Sequence, residues 1–94
     1  MPLPPGFDDL RALLGRRLVA LRAARGLTQE RAAQAMGVTA RHLQRLEGGG
    51  ENPSLETLCR AAEVYGLHPS ELLAPGEGGE APPTLRRVRE KGGG

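Results

Sequence analysis

Gln29-Glu30-Arg31-Ala32-Ala33-Gln34-Ala35-Met36-Gly37-Val38-Thr39-Ala40-Arg41-His42-Leu43-Gln44-Arg45-Leu46-Glu47, residues 29–47, is the stretch on which the fold turns. Thr28 stands where a helix N-cap is wanted, its hydroxyl suited to the free amides of a first turn. Gly37 stops that helix, because glycine adopts the left-handed conformation at little cost. Thr39 caps the next helix only two residues later, and this helix runs to about Glu47. A turn this short does not let the second helix run back antiparallel, so the two cross steeply and in contact. Contact requires a small residue, and Ala33 is placed for it. Val38 plugs the turn, while Met36, Leu43 and Leu46 fill the space beneath. The later helix is thus held by its inner face, and its outer face (Ala40, Arg41, His42, Gln44 and Arg45) is left free. The pattern is that of a helix-turn-helix.

Working outward, Leu10, Leu13, Leu14, Leu18 and Leu21 recur at helical spacing and predict a first helix from about Asp8 or Asp9 to Arg25, ended by Gly26. Arg11, Arg16, Arg17, Arg22 and Arg25 fall largely off that stripe. Downstream, Gly48 to Pro53 reads as a loop. Ser54 caps a fourth helix, Leu55 to Tyr65, with a stripe of Leu55, Leu58, Ala62 and Tyr65. Pro69 starts a short fifth helix through Leu73. Beyond Ala74 the chain is rich in Gly and Pro and has few apolar residues besides Leu85 and Val88, which predicts a flexible tail that buries no core. The organisation expected is an irregular start over 1–7, one all-α, compact five-helix domain over 8–74, and the tail over 75–94.

Composition agrees with this. Ninety-four residues make at most one domain. With one Phe, one Tyr and no Trp, the core must be built from Leu, Ala and Val. A lone Cys59 forms no internal disulfide and fits a reducing compartment; beside the fourth helix's stripe it reads as a small buried hydrophobe. No run approaches the ~18 apolar residues of a membrane span, and the start lacks the pattern of a secretory signal, so a cytoplasmic location is expected. The net charge is +2, but five arginines against one acid lie between Arg22 and Arg45. Such a local basic surface suits an anionic partner, or is simply a solvated arginine-rich face.

The segment Leu21 to Thr39, with Leu46-Glu47, Pro53 to Leu58 and Gly66-Leu67 to Glu71-Leu72-Leu73, resembles the lambda-repressor-like, xenobiotic-response-element type of helix-turn-helix domain. The resemblance covers about residues 10–74 and touches all five helices in order. It implies a sequence-specific regulator of transcription, a repressor by expectation, that inserts its third helix (about 39–47) into the major groove of double-stranded DNA as a homodimer. It assigns base reading to Ala40, Arg41, Gln44 and Arg45, and phosphate binding to Gln29, Thr39, His42 and the main-chain amides of Gly48 and Gly49. It pairs Arg22 with Glu47 as a structural ion pair, Arg22 having phosphate as an alternative partner. It places a dimer surface on the last helices, with Leu67, Leu72 and Leu73. Two departures stand out. Ala32 replaces a larger aliphatic residue, which implies looser packing under the second helix. A Gly48–Gly50 loop replaces Asn or Lys, and Glu51 within it opposes DNA.

No nucleophile with a base partner, no carboxylate dyad and no phosphate-binding glycine loop occurs, so an enzyme is not expected. His42 and His68 have no partner at metal-ligand spacing, so neither metal nor cofactor is expected. A second reading is an antitoxin or co-regulator that binds a protein partner, through the tail for instance; the tail's Arg86-Arg87-Val88-Arg89-Glu90-Lys91 reads by default as a solvated end, with a DNA-binding arm or a partner segment as alternatives.

Overall fold

Three of the four α-helices begin at a hydroxyl. In the structure, a computed structural model that describes residues 4–74, α1 spans Phe7–Ala24, α2 Gln29–Met36, α3 Ala40–Glu47 and α4 Leu55–Tyr65. The Oγ1 of Thr28 accepts from the amide of Arg31 at 3.1 Å, Thr39 from His42 at 3.0 Å and Ser54 from Thr57 at 3.1 Å. Each bond satisfies one of the amides that a helix start leaves unpaired. Gly37, at φ 76°, then turns the chain out of α2.

The expected fifth helix is a 3-10 helix, Pro69–Leu73. Five residues are too few for a settled i→i+4 ladder, and the segment is held by side-chain bonds at its own start instead. The His68 ring accepts from the Ser70 amide, and the Glu71 carboxylate accepts from the His68 amide at 2.7 Å. Among the described residues the all-helical expectation therefore holds, with four α-helices and one 3-10 turn, not five α-helices.

α1 packs across α3 and the 3-10 helix, α2 against α3 and α4, and α4 against the 3-10 helix. Leu14, Leu18, Leu21, Met36, Leu43, Leu46, Tyr65 and Leu72 fill the centre, with Ala32, Ala33, Ala61 and Ala62 at the close approaches. Ala32 is fully buried.

Several positions depart from the sequence expectation. Leu55 is 79% exposed and Leu10 43%. Leu55 is the first residue of α4 and lies at the end of its packed stripe. Cys59 is exposed rather than buried, because α4 turns Leu58, Ala61, Ala62 and Tyr65 inward. Arg17, expected off the stripe, is buried. It lies three residues after Leu14 and four before Leu21, on the apolar face, and its guanidinium donates to the Glu71 carbonyl, tying α1 to the 3-10 helix. Residues 1–3 and 75–94 lie outside the described residues, and with them the expected tail and its Arg86–Lys91 segment. No helix among the described residues is long and apolar enough to cross a membrane.

Tyr65 offers a test of the packing. It is buried, and its Oη has no hydrogen-bond partner among the described residues. Burial pushes the phenol above its ordinary value; the Glu47 charge adds to this, and Arg22 and Arg25 oppose it. The folded phenol therefore keeps its proton to higher pH than the unfolded one. The stability it contributes is fully present below the unfolded value near 10 and is lost as pH rises past it. Tyr65→Phe is expected to leave the neutral melting temperature unchanged or raised, since no unpaired hydroxyl remains buried. It should also make the alkaline fall in melting temperature shallower. Melting curves across pH check both, and a drop of several degrees at neutral pH would show that the hydroxyl is bonded.

Candidate nucleic-acid interface

The free face is created by what holds α3 from behind. Leu43 and Leu46 are 0% and 2% exposed, three residues apart on one side of a two-turn helix. Residues offset by about half a turn must then face outward. Arg41, Gln44 and Arg45 are exposed, His42 is half-buried, and Ala40 packs partly against the core. Three of the four expected base-reading residues thus stand clear on one face, while Ala40 has part of its surface spent inside the fold.

One carboxylate fixes this helix to its neighbours. Glu47, the last residue of α3, keeps a side chain only 4% exposed. It accepts from Arg22 Nε at 2.7 Å and Nη2 at 3.1 Å, and from Gln29 Nε2 at 2.8 Å. Arg22 also donates to the Leu27 carbonyl at 3.0 Å, and the hydrogen bond to Glu47 raises its already high pKa further. The bidentate fork joins α1, α2 and α3 at one point. Gln29 is therefore held, not free. One amide hydrogen serves Glu47, which leaves the other, with the main-chain amides at the start of α2, for a phosphate. The Thr39 hydroxyl accepts the α3 cap and retains its own hydrogen for donation.

The amides of the glycine loop are engaged within the fold. The amide of Gly48 donates to the Gln44 carbonyl at 3.0 Å, Gly49 to Leu46 at 3.1 Å and Gly50 to Arg45 at 2.9 Å. The Gly48 and Gly49 amides expected on phosphate already donate to orphan carbonyls at the end of α3 and so help to terminate that helix. Leu72, expected on a dimer surface, is fully buried in the core and is not available to a partner. Leu67 and Leu73 are half-buried.

The basic stretch is also less free than its count suggests. Arg22 is committed to Glu47, and Arg25 donates to the Tyr65 carbonyl at 2.6 Å while lying 5.2 Å from that ring's centre. Arg31 and Arg41 are exposed and have no acidic partner among the described residues. Arg45 and His42 have an acid nearby, Glu51, with Oε1 3.9 Å from Arg45 Nη1 and Oε2 3.2 Å from His42 Nδ1. No group of three His, Cys, Asp or Glu side chains among the described residues is placed to hold a metal.

A further residue positions the face and was missed by the sequence reading. Gly15 is buried inside α1, where a Cβ would lie 2.9 Å from the Leu46 carbonyl oxygen and closer still to that of Glu47. The backbones of α1 and α3 touch there. The available signal was a lone glycine within a helical leucine pattern, where it costs about 1 kcal/mol against alanine.

Comparison with known proteins agrees with this geometry. The family model described as a helix-turn-helix domain matches residues 13–74. The HTH-type transcriptional regulator y4dJ of Sinorhizobium fredii is 37% identical over 67 residues, covering 71% of this chain and 87% of that protein. The regulator PuuR of Escherichia coli is 35% identical over 71 residues, 76% of this chain but 38% of its own length. Among solved structures, the restriction-modification controller protein C.AhdI of Aeromonas hydrophila superposes with a TM-score of 0.64 at 34% identity, covering 66% of this chain and 94% of that one. The clp gene regulator ClgR of Corynebacterium glutamicum does so with a TM-score of 0.65 at 27% identity, covering 98% and 88%. The chain belongs to the helix-turn-helix domain family of transcriptional regulators, in its lambda-repressor-like form.

Proposed function

We propose that this domain is a sequence-specific repressor that lays α3 in the major groove of double-stranded DNA as a homodimer. The observation that carries the reading is the division of α3. Leu43 and Leu46 are buried in the core, while Arg41, Gln44 and Arg45 are exposed. An exposed arginine on a groove-sized helix can bind guanine through two parallel hydrogen bonds, and a glutamine can do the same for adenine. Gln29, Thr39 and His42 flank this face as phosphate contacts that set the register. A single eight-residue helix spans few base pairs, so selectivity calls for two copies on half-sites ~34 Å apart. Leu67 and Leu73 are the apolar residues left for that contact. Occupying an operator then blocks transcription by occlusion. The antitoxin or co-regulator reading draws on residues 75–94 and gains no support from residues 4–74.

Selection of bound sites from random duplex DNA tests the proposal. The expected result is a two-fold symmetric sequence with half-site centres about one helical turn apart. Arg41→Ala should cost about 1–3 kcal/mol on the selected site and relax preference at one base position. Gln29→Ala should weaken all sequences alike. No enrichment at low salt, or unchanged binding of Arg41→Ala and Arg45→Ala, would rule the groove assignment out.

A further inference from the structure

We infer that Glu51 is a specificity-determining residue: a carboxylate fixed at the edge of α3 that discriminates against bare phosphate backbone. The inference rests on the DNA-binding reading above. Three consecutive amides, Gly48, Gly49 and Gly50, donate back to carbonyls of α3 at 2.9–3.1 Å. The loop is therefore wrapped onto the last turn of the helix. This fixes the backbone that enters Glu51, whose side chain is only 25% exposed. Its two oxygens lie 3.2 Å from His42 Nδ1 and 3.9 Å from Arg45 Nη1. His42 and Arg45 are three residues apart and share one flank of α3. Arg41, on the same helix, has no acidic partner among the described residues.

The outer face thus holds one unrestrained arginine and one that already has an anion beside it. A phosphate is present at every step of any duplex, so an unrestrained cation there adds affinity without selectivity. Beside Glu51, Arg45 gains little from a phosphate, because it exchanges one anion for another while the carboxylate repels that phosphate. A base edge is different. It carries no net charge, so Glu51 does not repel it, and two acceptors on guanine match the guanidinium fork. Glu51 therefore lowers binding to arbitrary sequence more than binding to the matched site, which raises the ratio that defines specificity.

The test compares wild type and Glu51→Gln on two labelled duplexes of equal length and composition, the selected site and a scramble of it, over a salt series. Glu51→Gln is expected to bind the scramble about tenfold more tightly at low salt and the selected site within about twofold. The logarithmic salt slope on the scramble should steepen by about one phosphate's worth. Glu56→Gln on α4 makes the same charge change elsewhere and should alter neither duplex by more than about twofold, by the weakness of screened distant charges. Glu51→Asp, which restores the charge, should recover most of the discrimination. Equal tightening on both duplexes, or behaviour matching Glu56→Gln, would overturn the inference while leaving the DNA-binding reading in place. Wild type that distinguishes neither duplex would overturn both.

Discussion

Gly15→Ala is expected to destabilise the domain by about 3 kcal/mol, although alanine is the better helix former by about 1 kcal/mol. The added methyl meets main-chain carbonyl oxygens of Leu46 and Glu47, not the end of a movable side chain. Relief requires α1 and α3 to separate along their length. That opens the packing of Leu14 and Leu18 on Leu43 and Leu46, all four of them core residues. For a domain of this size, such a loss lowers the melting temperature by more than about 10 °C. Duplex binding should fall even at temperatures where the variant is folded, because α3 is displaced relative to the start of α2. Arg16→Ala, one residue along and exposed, should be within about 0.5 kcal/mol of wild type. Thermal and urea unfolding of the three proteins check this. A Gly15→Ala variant as stable as wild type would show that the two backbones do not touch.

Glu47→Ala has the second-largest expected effect. It removes one buried carboxylate and strands three donors, two on Arg22 and one on Gln29. Breaking a buried pair from one side costs several kcal/mol, because the other charge is left without compensation. Arg22 keeps the Leu27 carbonyl and a side chain that is 20% exposed, so a loss of about 2–3 kcal/mol is expected. The double variant Arg22→Met, Glu47→Leu should recover a large part of that loss, since neither charge then needs solvating. If the double variant is instead as unstable as the two single losses added together, the pair is not acting as a unit. Glu47→Ala should also weaken duplex binding in excess of its stability loss, because Gln29 loses the acceptor that orients its amide.

Much of this was legible because local chemistry and global fold agree. Thr28, Thr39 and Ser54 are caps whatever they pack against, and Gly37 turns the chain by its own conformational preference. Leu43 and Leu46 are inward because their spacing leaves no other face for the core. What was not legible depends on partners distant in sequence. Arg17 occupies an apolar-stripe position, and its partner there is the Glu71 carbonyl, far along the chain. The Gly48 and Gly49 amides read as anion donors, and only the folded loop shows them bonded to carbonyls of α3. Leu72 and Leu73 look alike in sequence, yet one is sealed and the other is partly open. At the interface, residue type identified Arg41, Gln44 and Arg45 as exposed. Periodicity contains nothing that places Glu51 beside Arg45.

The division of α3 bears on how such a protein acquires new targets. Its inward side chains, its Thr39 cap and its Glu47 anchor share no atoms with Arg41, Gln44 or Arg45. Substitutions at those three outward positions should leave folding within about 0.5 kcal/mol of where it began. Scaffold and reading surface can then drift separately. A lineage can move from one operator to another through intermediates that all remain folded, with stability setting no toll on the path.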